Sequence, residues 1–174
     1  MKFIILFLVI TALKVYTQDK QNLKTVDYVD LKKYTGLWYE FAKIPNKFQD
    51  QCVKGTTAKY SINKDGEITV LNSCIDEDGE KDIAEGVARI VDKKTNAKLE
   101  VSFVSFLGWR PFWGDYWIIG LDENYQWAVI GTPSRKYGWV LSRTPKLDQQ
   151  TQDKIFKILK DQGYNPKDFE LGKQ

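Results

Sequence analysis

Gly36-Leu37-Trp38-Tyr39-Glu40 opens an alternating apolar run that reaches Phe48 after a short polar lead, and it reads as the start of a strand. Glycine has no Cβ and lets the chain come tightly around a corner, while the large aromatic two residues on plugs whatever the strand helps to enclose. Working outward, Trp139-Val140-Leu141-Ser142-Arg143 stands near the end of a last strand, and its guanidinium can lie flat on the Trp38 ring. First and last strands then meet.

Between those two points turn signals recur at 63–66, 76–79, 92–96, 108–114, 122–124 and 132–135, separating strands of about eight to twelve residues. Alternation is clean in Leu99, Val101 and Phe103 against Lys98, Glu100 and Ser102, and in Tyr60 and Ile62 against Lys59, Ser61 and Asn63. One face of these strands is wet. The pattern predicts an all-β fold, an eight-stranded antiparallel up-and-down barrel whose closure removes unpaired edges and leaves room for one small ligand. A fatty-acid-binding-protein-like barrel is the near alternative. Leu37, Tyr39 and Phe41, then Trp117 and Ile119, then Trp127 and Val129 place apolar groups on the outer face, so something must cover them. The cover is a C-terminal helix capped by Asp148, striped by Ile155, Phe156, Ile158 and Leu159 and ended by Gly163. Asp168-Phe169-Glu170-Leu171 adds a short final strand.

Gly-x-Trp opening a strand set and a lone arginine closing it about a hundred residues later resemble the lipocalin family. The Trp-Tyr-Glu form, with Tyr116-Trp117-Ile118-Ile119-Gly120-Leu121-Asp122 and Leu141-Ser142-Arg143-Thr144-Pro145, looks like its bacterial outer-membrane lipoprotein and apolipoprotein D-like branch. The resemblance implies that Gly36, Trp38, Asp122 and Arg143 are structural, and that the Val29, Leu31, Tyr34 spacing is a helical turn under the barrel floor. Only Asp122 of the family's usual middle Thr-Asp-Tyr is retained, since this chain has Leu121-Asp122-Glu123. That departure argues against carrying over the ligands of distant lipocalins. The branch also implies a lipid ligand and a role in membrane maintenance.

Residues 1–17, with Lys2 ahead of an apolar run at 3–13, read as a signal peptide, because such a run is too short to span a bilayer. Residues 18–27 read as a flexible lead and 28–174 as one lipocalin domain. Losing Lys2 and Lys14 brings the formal charge of +3 close to neutral, and the remaining charges form no basic stripe, so nucleic acid is not implied. In an oxidising compartment Cys52 and Cys74 are disulfide partners rather than catalytic thiols. No cysteine follows the signal peptide, so no lipid anchor is expected and the chain is read as secreted or periplasmic, at the cell envelope.

The sequence has no histidine, which excludes histidine-activated nucleophiles, the common zinc sites and histidine-ligated haem. Asp76-Glu77-Asp78-Gly79 lacks the spaced ligands of a calcium loop and reads as a hairpin turn. No cofactor, metal or catalytic residue is expected. Counting outward from Trp38, the inward face holds Glu40, Ala42, Ala58, Tyr60, Val70, Asn72, Leu99, Val101, Phe103, Tyr116, Ile118, Ile130, Tyr137 and Trp139, the expected ligand-binding set. The expectation is a monomer or weak dimer that binds a fatty acid or lysophospholipid, with an enzyme acting on an apolar substrate as the alternative. Residues 106–114 carry five large apolar groups in a hairpin tip, where polar residues are usual, and Trp109, Phe112 and Trp113 are candidates for contact with a membrane. A lid folded inward over the cavity is the other reading.

Overall fold

The computed structural model describes residues 22–64 and 66–174. The segment read as a signal peptide and the first part of the lead lie outside the described residues. A short helix α1 (Leu31–Tyr34) leads into β1 (Gly36–Lys43), and a 3-10 turn (Lys47–Gln49) precedes β2 (Lys54–Ile62). There follow β3 (Ile68–Ile75), β4 (Lys81–Ile90), β5 (Lys98–Ser102), β6 (Gly114–Leu121), β7 (Trp127–Gly131) and β8 (Gly138–Ser142). Helix α2 (Gln149–Asp161), a 3-10 turn (Pro166–Asp168) and β9 (Glu170–Leu171) complete the chain. Strands β2 to β8 pair in sequence order, β8 returns to β1, and β1 pairs with β2, so the eight-stranded barrel closes. Strand β9 adds to β1 where β1 and β2 part.

Two apolar clusters follow from strand alternation. The inner one gathers Trp38, Ala58, Tyr60, Val70, Leu99, Ile118 and Ile130. The outer one packs Phe41, Ile119, Trp127, Val129 and Val140 under Ile155 and Leu159 of α2. Asp148 starts that helix by accepting from the Thr151 amide, and Gly163, at φ +79°, ends it.

Simple parity fails at one point. The β1–β8 register shifts between Glu40 and Ala42, a bulge that places an extra residue in β1. Ala42 therefore faces the outer cluster rather than the lumen, and Lys43 returns to the Glu40 side, where its ammonium lies 3.4 Å from the Glu40 carboxylate. Over its described part the lead packs against the barrel and α2. Leu23 is buried in the outer cluster, the Val26 amide donates to Ile118 O, and Lys24 exchanges two bonds with Gln162.

Cys52 and Cys74 form a disulfide that ties the segment entering β2 to the far end of β3. Closing a loop of this size stabilises the fold by about 3 kcal/mol in the chain-entropy model. At the floor, the Arg143 guanidinium lies 3.7 Å over the wholly buried Trp38 ring. Its nitrogens donate to the carbonyls of Lys33, Tyr34, Thr35, Leu37 and Tyr125, so one cation satisfies the carbonyl ends of α1 and joins them to the β6–β7 turn.

Candidate functional site: the barrel lumen and its mouth

Strands β2 and β6 stand four strands apart whichever way the barrel is followed, so their inward residues face each other across the full lumen. From these strands Tyr60 and Tyr116 meet, the Tyr60 hydroxyl donating to Tyr116 at 2.9 Å. Tyr34 rises from the floor helix to share a 2.7 Å bond with Tyr116. Burial pushes the Tyr34 and Tyr116 hydroxyls well above the ordinary phenol value and that of Tyr60 up to about 12. The three phenols form a neutral, hydrogen-bonded crossbar. A small apolar cavity touches all three, with Ile68, Leu99 and Ile118 among its walls; it has room for about one water and not for an acyl chain.

Towards the mouth the interior turns polar at one place. Glu40, only 4% exposed, accepts from Gln49 Nε2 at 2.7 Å and pairs with Lys43. Gln49 Oε1 accepts from Trp139 Nε1 at 3.0 Å and from Asn46 Nδ2 at 3.2 Å. This amide is the hub that holds the 3-10 turn against β1 and β8. Tyr137 stacks on Trp139 and meets Phe48 at 5.6 Å, extending an aromatic wall up to the rim.

The other inward residues of the sequence set sort by depth. Ala58, Tyr60, Val70, Leu99, Tyr116, Ile118 and Ile130 are buried in the inner cluster, and Val101 and Trp139 pack against it. Asn72 is half-buried opposite Ala58, and Phe103, 40% exposed, sits where a side chain at Gly86 would otherwise project. Tyr34, Lys43, Phe48 and Gln49 escaped the sequence reading of the lumen. Tyr34 belongs to a local turn whose spacing gives only its burial, and Lys43 arrives through the bulge. Gln49, on the segment leaving β1, could have been found only by asking what satisfies an inward Glu40.

The β5–β6 loop closes on itself by a Phe106–Trp109 bridge and leaves Phe106, Leu107, Trp109 and Phe112 between 67% and 93% exposed. The lid reading, in which these groups fold over the lumen, is not what the loop does. Trp113 departs from its exposed neighbours: half-buried, it lies under the Arg89 guanidinium at 4.0 Å and donates to Arg110 O. Arg110 in turn donates to Ser102 O and so splints the loop to β5. The neighbouring β3–β4 turn is a hairpin in which Asp76 Oδ1 accepts from the amides of Asp78 and Glu80.

An eight-stranded up-and-down barrel, closed at one end by a tryptophan–arginine stack and covered outside by one C-terminal helix, is the architecture of small-ligand-binding barrels. A profile described as a lipocalin-like domain matches residues 29–174, and the chain belongs to the lipocalin family. Among its relatives, temperature-induced lipocalin-1 of Arabidopsis thaliana is 38% identical, covering 84% of this chain and 80% of that protein. Outer membrane lipoprotein Blc of Vibrio cholerae is 37% identical over 83% of this chain and 82% of its own, and apolipoprotein D of Macaca fascicularis 36% over 75% and 69%. Insecticyanin of the tobacco hornworm Manduca sexta superposes with a TM-score of 0.72 over 88% of this chain and 85% of its own; at 23% identity the likeness is one of fold. Lipocalins bind small hydrophobic ligands.

Proposed function

We propose that this chain is an extracytoplasmic, non-catalytic lipid carrier that takes a fatty acid or lysophospholipid into its barrel and exchanges it with a membrane through the β5–β6 loop. The observation that carries this reading is the exposure of Phe106, Leu107, Trp109 and Phe112 together at one loop beside the mouth of an apolar barrel. Exposed apolar groups clustered on one loop favour contact with another apolar phase, and tryptophan is at home at the headgroup level of a bilayer. The head group of such a lipid would lie near Glu40, Lys43 and Gln49, with its chain directed down towards the tyrosines. Burying an acyl chain contributes about 0.8 kcal/mol per methylene before ordering costs, so the barrel needs no reactive group to be useful. The Cys52–Cys74 disulfide supports an oxidising compartment, reached with residues 1–17 as a cleaved signal peptide.

The test is to extract the purified protein with organic solvent, identify the released lipids by mass spectrometry, and titrate the stripped protein with oleate and lysophosphatidylcholine. The reading expects a co-purified single-chain lipid and saturable uptake near one per barrel. Protein that carries no lipid and takes up neither probe would contradict it.

A further inference from the structure

Three neutral phenols meet across the lumen, and their protons outnumber the acceptors they offer one another. Tyr60 donates to Tyr116, and Tyr116 shares one further bond with Tyr34. If Tyr116 donates in that second bond, the Tyr34 proton is left over; if Tyr34 donates, the Tyr116 proton is left over. Either way one buried O–H meets no protein acceptor among the described residues, beside an apolar cavity walled by Ile68, Leu99 and Ile118. A buried donor without an acceptor is unfavourable, and an incoming acceptor relieves it.

The position of the crossbar says which part of a ligand would supply that acceptor. Because it joins opposite walls of the barrel, a chain descending from the mouth meets it end-on. The nearest cation on the floor, Arg143, is already engaged by five carbonyls, so a carboxylate brought to this depth would be a buried anion without a counter-ion. We infer that Tyr34, Tyr60 and Tyr116 form a distal subsite of the lumen that selects a single-chain lipid bearing an uncharged oxygen acceptor, a hydroxyl or carbonyl, at the end remote from its head group. The inference rests on the lipid-carrier reading above and adds to it a preference at the far end of the chain. In a wholly apolar dead end such an oxygen would weaken binding, because it would lose its water and gain nothing.

The experiment compares fatty acids of ten, twelve, fourteen and sixteen carbons with their ω-hydroxy counterparts in displacement titrations on the delipidated protein. In the unaltered chain, at the length that reaches the tyrosines, the ω-hydroxy acid binds as tightly as its parent or more tightly. The Tyr34→Phe/Tyr60→Phe/Tyr116→Phe triple variant, which leaves no phenol at that depth, shifts that affinity ratio about tenfold towards the parent acid. Weaker binding of the ω-hydroxy acid at every length would overturn the subsite, as would equal weakening of both acids in the triple variant, which would mean packing or a carboxylate at the phenols. If the triple variant does not fold, the comparison across chain lengths on the unaltered chain still decides. Failure of both acids at every length, with lysophosphatidylcholine refused as well, overturns the carrier reading itself, and the subsite with it.

Discussion

At the closed end of the barrel Trp38 is wholly buried and the Arg143 guanidinium on its face serves five backbone carbonyls, whereas at the open end four large apolar side chains of one loop stand in solvent. The floor is held by contacts that are satisfied within the chain, so altering it should cost stability. The apolar groups of the mouth leave their burial incomplete, so altering them should change exchange with a partner phase and leave the fold standing. Polar bonds do occur at the mouth, but they hold single loops, the short turn through Gln49 and the β5–β6 loop through Arg110, rather than closing the barrel.

The largest expected effect is at the floor. Trp38→Ala should destabilise by about 3 to 5 kcal/mol through lost burial and the cavity left behind. Arg143→Ala should cost about 2 kcal/mol or more by stranding carbonyls of α1 and the β6–β7 turn. In a chain of this size the tryptophan change lowers the melting temperature by roughly 10 °C or more. Calorimetry that finds both variants melting like the unaltered chain would erase the contrast between the two ends.

The tyrosine crossbar gives the floor a signature in pH. An unfolded phenol ionises near 10, while burial raises Tyr60 to about 12, so above pH 10 the unfolded state releases its proton first. Stability is therefore fully present below pH 10 and falls as pH rises through 12, by about 3 kcal/mol from Tyr60 alone, with Tyr34 and Tyr116 adding in the same direction. Urea titrations from pH 8 to 12 check this; a midpoint indifferent to pH across that range would contradict a neutral buried crossbar.

A smaller effect is expected at Glu40. Glu40→Gln removes the charge that faces Lys43, freeing the ammonium for an anionic head group. Affinity for a fatty acid should rise about threefold to tenfold relative to a lysophosphatidylcholine of equal chain, with chain-length preference unchanged. Displacement titrations over both series would show it, and identical profiles would reduce Glu40 to a hydrogen-bond partner of Gln49.

Much of this architecture was legible in sequence because it rests on local periodicity. The period of two placed the inner and outer faces of β2, β3, β5 and β6, and the helix with its Asp148 cap and Ile155–Leu159 stripe stands where its pattern put it. The Trp38–Arg143 stack was legible too, since the two residues bracket a closed strand set. The bulge was not, because one extra residue in β1 leaves no compositional trace, and it sends Ala42 outward and Lys43 to Glu40. The crossbar was half visible: parity turned Tyr60 and Tyr116 inward, but only barrel closure shows that β2 and β6 are opposite and that Tyr34 reaches both. Trp113 looked like its exposed neighbours until Arg89, far away in sequence, came to lie over it.

The division between a floor that stabilises and a mouth that exchanges is tested most directly by replacing Phe106, Leu107, Trp109 and Phe112 together with serine, leaving Trp113 on Arg89. Transfer of a fluorescent fatty acid from phosphatidylcholine vesicles is then followed by stopped flow, beside equilibrium binding of the same probe free in solution. The account predicts transfer slowed about tenfold or more, with solution affinity and melting temperature close to those of the unaltered chain. Transfer at the original rate would contradict it, and so would a loss of solution affinity as large as the loss of transfer.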